Sequence, residues 1–203
     1  RVMPLCRNPY MTDMVCKLFA PSGKLPDNRG KLFGDFVHNL LQREKRNCEA
    51  TGADWLDETL IRRGLAQIAY EMGSETEMHY AQALHIVRET VPHAEAELLL
   101  RLGVSASILD MGTDLRFTHQ LLQEYFASEV IGALIDTNTD PTTIWQPDIW
   151  WQSTGREETL RILAGGRGDP EGVARWIAPA NPEFAIEILT KGDEPVDLAT
   201  IDN

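Results

Sequence analysis

The sequence predicts a mainly α-helical chain: a helical region, a second helical region closed by a small β-hairpin, and a short helical tail. Three observations carry this. Apolar residues recur at helical spacing over most of the 203 residues, the period changes to two near residue 110, and Gly and Pro clusters punctuate the C-terminal third.

The first stretch, Asn8 to about Ala20, is apolar, places Pro9 in the first turn of a helix and stops at Pro21-Ser22-Gly23. A loop follows, closed by Pro26-Asp27-Asn28. From Arg29 the pairs Leu32/Phe33, Phe36/Val37 and Leu40/Leu41 lay one apolar stripe along a helix expected to end in the basic cluster Arg43, Lys45 and Arg46. Those cations suit a helix's negative end, so capping and solvation stand beside a binding patch as readings of them. After Cys48-Glu49-Ala50-Thr51-Gly52 the pattern restarts, with Asp54 placed as a cap and Leu56, Leu60, Ile61, Leu65, Ile68 and Met72 as the buried stripe. Gly73-Ser74 ends that helix. Ala81, Leu84, Val87 and Val91 mark a shorter one before Pro92, and His93 to Leu102 another, stopped by Gly103.

The segments 107–111, 112–114 and 115–119 then read as strand, turn and strand. Behind them Leu121, Leu122, Tyr125, Phe126, Val130 and Leu134 predict a long amphipathic helix, so helices, a hairpin wing and a closing helix together fit a winged-helix variant. The expected organisation is a helical domain over 1–53, a winged-helix domain over 54–136, a surface-lying linker over 137–149 and a helical tail over 150–203. In that tail three helices are marked by Trp150, Trp151, Leu160, Ile162 and Leu163, by Val173, Trp176 and Ile177, and by Phe184, Ile186, Ile188 and Leu189. Their expected breaks are Gly165-Gly166, Gly168-Asp169-Pro170 and Ala180-Asn181-Pro182, the look of the first turns of a HEAT-like α-solenoid.

Charge narrows the function classes. The net of −12 is uneven: residues 1–53 hold 9 basic and 5 acidic groups, 54–136 hold 5 and 14, and 137–203 hold 5 and 12. Helices this acidic would repel a polyanion, so DNA is not an expected partner. There is no run of 18 apolar residues and no signal segment, so no membrane partner is expected and the chain reads as cytoplasmic. Arg1 in place of Met suggests a piece of something longer. Cys6, Cys16 and Cys48 lack the spacing of a metal or redox pair and read as reduced thiols. His79 with Glu75 and Glu77 could be drawn as a metal cluster, yet a solvated helix face explains the same spacing.

Catalytic motifs are missing. Gly23-Lys24 is followed by Leu25 and Gly30-Lys31 by Leu32, so no GxxxxGK[ST] is present, and no apolar run ends in paired acids that would hold magnesium. No HExxH, GxSxG or Cys/His nucleophile arrangement occurs, and no catalytic residue is assigned.

Two segments nevertheless form an ordered pair. The first is Cys6-Arg7-Asn8-Pro9-Tyr10 continuing through Leu25-Pro26-Asp27-Asn28-Arg29-Gly30-Lys31-Leu32-Phe33; the second is Leu115-Arg116-Phe117-Thr118-His119-Gln120-Leu121-Leu122-Gln123-Glu124-Tyr125-Phe126-Ala127. They resemble the "NP, helix, LPxNRxxLY" run and the "FxHxxxQEYFA" winged-helix run of NACHT-type STAND signalling NTPases, the family of NLR-like inflammasome receptors and many bacterial defence proteins. Met11-Thr12-Asp13-Met14 and Phe33 depart from that pattern. The resemblance implies that Pro9 packs beside adenine and that His119 touches the β-phosphate of ADP, with ADP or ATP and Mg bound by the complete protein and no cofactor by this portion alone. Read locally, Pro9 could simply start a helix and His119 could simply cap one, although the helix start behind His119 also suits an anion. The implied partners are an upstream P-loop core, a downstream ligand or sensor region, and further copies in the active state. The implied activity is signal transduction in innate immunity or antiviral defence by nucleotide-controlled oligomerisation. A helical protein-interaction scaffold and a winged-helix nucleic-acid binder are the alternatives.

Overall fold

A computed structural model describes residues 12, 16, 28–92 and 95–191. Among the described residues the chain is mainly helical with one small two-stranded antiparallel sheet.

Helix α1 spans Arg29–Thr51, opened by the Asn28 side chain, which accepts from the Lys31 amide at 2.9 Å, and closed by Gly52 at φ 70°. It therefore runs past the basic cluster expected to end it. The buried face continues through Glu44 and Cys48, so the helix has apolar and hydrogen-bonded partners for two further turns. Arg43 donates to the Ala106 carbonyl at 3.1 Å and Glu44 accepts from the Ser105 hydroxyl. Helix α2 spans Glu58–Met72. Its cap is Asp57, accepting from the Thr59 amide at 2.8 Å, rather than Asp54, because Leu56 must first reach the interior before the chain turns helical.

Helix α3, Tyr80–Thr90, buries Ala83 and Val87. Helix α4, Ala96–Ser105, runs straight through Gly103, the residue expected to stop it. Gly103 serves packing: a Cβ there would lie 2.9 Å from Leu109 Cδ1, so the helix and the first strand approach across a bare backbone. Strands β1, Leu109–Met111, and β2, Leu115–Phe117, pair antiparallel in the register Leu109 to Phe117 and Met111 to Leu115. Met78 adds a bridge to Leu115 on the other edge of β2.

Helix α5, Gln120–Asp136, departs from the amphipathic expectation. Leu121, Leu122, Gln123, Tyr125, Phe126, Ser128, Ile131 and Gly132 are all buried, so it is wrapped on most of its circumference. It packs against α2 on one side and against α6, Glu157–Arg167, on another. Phe126 belongs to one apolar cluster, formed mainly by α1 to α5, and Ile131 to a second, formed with the tail.

The stretch expected to lie on the surface as a linker instead walls that second cluster. Trp145 is 2% exposed, its ring 5.2 Å from Phe184, and its indole donates to the Trp150 carbonyl at 3.0 Å. The large apolar ring is buried because its single polar atom finds a backbone acceptor there. Gly165-Gly166 does not break α6 either, since the pair lies within the helix, Gly165 facing the Asn28 side chain and Gly166 facing Gly30. Helices α7, Pro170–Ile177, and α8, Pro182–Lys191, complete the tail, started by Asp169 and Asn181, which accept from the amides of Gly172 and Phe184 at 2.8 Å. No described helix is long and apolar enough to cross a membrane. Replacing Trp145 with Ala is expected to remove about 3 to 5 kcal/mol of stability in a denaturant titration, where a solvent-lying residue would change little.

Candidate functional site at the hairpin-to-helix junction

Phe117 enters the interior, Thr118 turns outward, and His119 then begins α5. Thr118 fixes the approach: its hydroxyl donates to the Ser107 carbonyl at 3.0 Å and its amide to the Ile108 carbonyl at 3.0 Å, fastening the end of β2 to the start of the hairpin. His119 is the N-cap of α5, in extended backbone, and its Nδ1 accepts from the Leu121 amide at 3.1 Å. An accepting Nδ1 must be unprotonated, so the neutral ring carries its hydrogen on Nε2. The imidazole is about half-buried, and desolvation holds its pKa below the ordinary histidine value. A neutral ring whose other nitrogen is a donor, at the positive end of a helix, can serve an anionic oxygen.

Pro9, the second sequence-derived candidate, lies outside the described residues. His79 does not sit on a helix face with Glu75. It precedes α3, and its Nδ1 faces the Asp114 carboxylate, while Arg116 binds Asp110 at 2.7 Å and approaches Glu77 at 3.7 Å. Among the described residues no group of three or more His, Cys, Asp or Glu side chains could hold a metal ion.

The residues after His119 join neighbouring helices. Gln123, buried, donates through Nε2 to the carbonyls of Gly73 at 3.1 Å and Glu75 at 2.9 Å, satisfying acceptors left at the end of α2. Tyr125 packs beside Phe33 of α1, with ring centroids 6.1 Å apart, and Phe126 beside Phe117 at 5.8 Å.

Sequence reading missed one polar network. Arg62 of α2 donates to the Tyr125 hydroxyl and to the Glu129 carboxylate of α5. Burial, with the negative charge of Glu129 adding to it, pushes Tyr125 up to about 12. Burial likewise raises Glu129 above the usual carboxylate value despite Arg62. For Arg62 burial works downward, but the charges of Glu129 and Tyr125 outweigh it and the pKa is raised. Partners this far apart in the chain leave no local signal, so only the docking of α2 on α5 could reveal them.

In comparisons with family models, curated proteins and solved structures, nothing matched this chain.

Two measurements check the local chemistry. His119 has a folded pKa below its unfolded value near 6.5, so the unfolded state binds more protons as the pH falls through that value. Its contribution to stability is therefore complete above about pH 6.5 and declines below it; a His119→Asn protein, which retains a capping side chain, should show a flatter melting profile between about pH 7.5 and 5. Arg62→Ala, which strands the Glu129 carboxylate, should cost about 2 kcal/mol, below the full penalty of a sealed ion pair because both partners keep some solvent contact.

Proposed function

We propose that this chain is the regulatory nucleotide-switch portion of a NACHT-type STAND NTPase. An upstream P-loop core would bind ADP or ATP with Mg and carry out any hydrolysis. This portion would close over the ADP form, release it when a ligand engages the sensor region downstream, and thereby permit self-association in the cytoplasm. The reading rests on the resemblance of the two ordered segments, and the single structural observation that supports it is the position of His119. The ring follows directly from the hairpin, caps α5 and is held neutral with a donor on Nε2. Such a group at a helix N-terminus can add a hydrogen bond to a β-phosphate oxygen in the ADP form alone, which is the differential affinity a two-state switch requires.

Within this reading Tyr125, Phe126 and Gln123 bind no nucleotide; they hold α5 at the angle from which His119 projects. Exposed Ile186 and Leu189 on α8, at 61% and 54% exposure, favour a second reading, a helical scaffold that binds protein and has no nucleotide dependence.

In the complete protein, His119→Ala should speed ADP release by roughly 5- to 150-fold, the usual span of a coupling free energy, and raise ligand-independent oligomerisation. His119→Asn keeps the helix cap, so the same loss in that variant separates the imidazole's contact from any weakening of α5. ADP release at the wild-type rate in both would sink the assignment, and oligomerisation without nucleotide would favour the scaffold.

A further inference from the structure

The chain leaves α4 through a cap that ordinarily calls for glycine. The amides of Ala106, Ser107 and Ile108 donate back to the carbonyls of Leu102, Val104 and Gly103 at 2.8, 2.9 and 3.0 Å, with Ser107 in the left-handed region at φ 64°. A residue with a Cβ is disfavoured in that conformation, so the contacts around Ser107 have to hold it there.

Two side chains do so, from opposite sides in sequence. Arg43 of α1 donates to the Ala106 carbonyl at 3.1 Å and approaches the Ser107 hydroxyl at 3.5 Å. Thr118, immediately before His119, donates its hydroxyl to the Ser107 carbonyl at 3.0 Å, with the Ile108 carbonyl 3.3 Å away, and its amide to the Ile108 carbonyl at 3.0 Å. The Thr118 side chain is exposed, where water would satisfy the hydroxyl equally well. What the bond to Ser107 adds is therefore direction more than energy. One residue on, His119 is fixed on the helix side by Nδ1 on the Leu121 amide. The hairpin's turn is fastened by other groups, Asp114 facing His79 and Leu115 bridged to Met78.

We propose that Thr118 is a positioning residue for His119: it sets the direction of the imidazole from the Ser107 cap at the root of the hairpin, which Arg43 references to α1, and not from the hairpin's turn. The inference rests on the nucleotide-switch reading above, in which a core preceding α1 holds the phosphates, and adds to it how the ring is aimed at them. A displacement of about 1 Å takes a hydrogen bond out of range, so a ring whose strand end can rotate loses its contact even when the helix behind it stays capped. Arg43 acts at one remove, through Ala106 and Ser107, and its loss has the smaller effect.

The test measures ADP release from the complete protein. Thr118→Val keeps the branched shape and loses the donor; it should speed release roughly three- to tenfold, the net size of one hydrogen bond, and Thr118→Ser should restore the wild-type rate. In a His119→Asn background, which keeps the α5 cap, Thr118→Val should change release less than about twofold, because the ring it aims is gone. Arg43→Met should show a smaller acceleration with the same dependence on His119, and it takes the place of Thr118→Val should that protein not fold. Thr113→Ala, in the turn, should release ADP at the wild-type rate. Unchanged release in Thr118→Val, no rescue by serine, acceleration that persists without the imidazole, or equal acceleration by Thr113→Ala overturns the positioning role alone. Wild-type release from both His119→Ala and His119→Asn overturns the underlying reading, and the positioning role with it.

Discussion

The wrapping of α5 is the constraint on which the rest of the structure depends. A helix buried on most of its surface needs partners on several sides, and here α2, the hairpin and α6 supply them. Phe126 and Ile131, little more than a turn apart, belong to different apolar clusters, so one rigid rod is shared between the hairpin-bearing part and the tail. Its first residue must then be held in place by something other than its own helix. His119 does this from one side, with Nδ1 on the Leu121 amide, and Thr118 does it from the other by fastening the strand end to the hairpin's beginning.

That arrangement connects packing to chemistry. The cap requires an unprotonated Nδ1, and half-burial of the ring disfavours the imidazolium, so one geometry gives both a stable helix start and a neutral ring with a fixed donor. Capping through Nδ1 and a neutral ring thus come from the same geometry at the start of α5. The polar network of Arg62, Tyr125 and Glu129 lies further along the same helix and fixes its contact with α2. Each charged member of this half-desolvated network has its partner across the α2–α5 contact, so removing one strands the other.

Glycine has three distinct uses that the sequence alone does not separate. Gly52 and Gly73 end helices at positive φ, Gly73 where its position after an apolar stripe suggests a stop and Gly52 two turns beyond the expected end of α1. Gly103 has the same look in the sequence, yet it lies inside α4 because Leu109 occupies the space where its side chain would be. Gly165 and Gly166 look like a break, yet they lie inside α6, and Gly166 there admits the backbone of Gly30. Nothing local distinguishes a terminating glycine from one that admits a neighbour; the neighbour decides, and it can lie at the other end of the chain.

Element type and order were legible because periodicity is a local property. The change from a spacing near 3.6 to a spacing of two around residues 107–119 located the hairpin, and the residues behind it located α5. His119 was legible as a junction residue for the same reason. Tertiary structure decided what depended on contacts distant in sequence: that α1 continues past Arg43 to Thr51, that Trp145 turns inward, and that α5 is covered nearly all round. It also decided that Nδ1 of His119 is the nitrogen that caps α5. A single chain writes its own pitch in its residues, but burial, hydrogen-bond partner and proton position belong to the surfaces that fold against it.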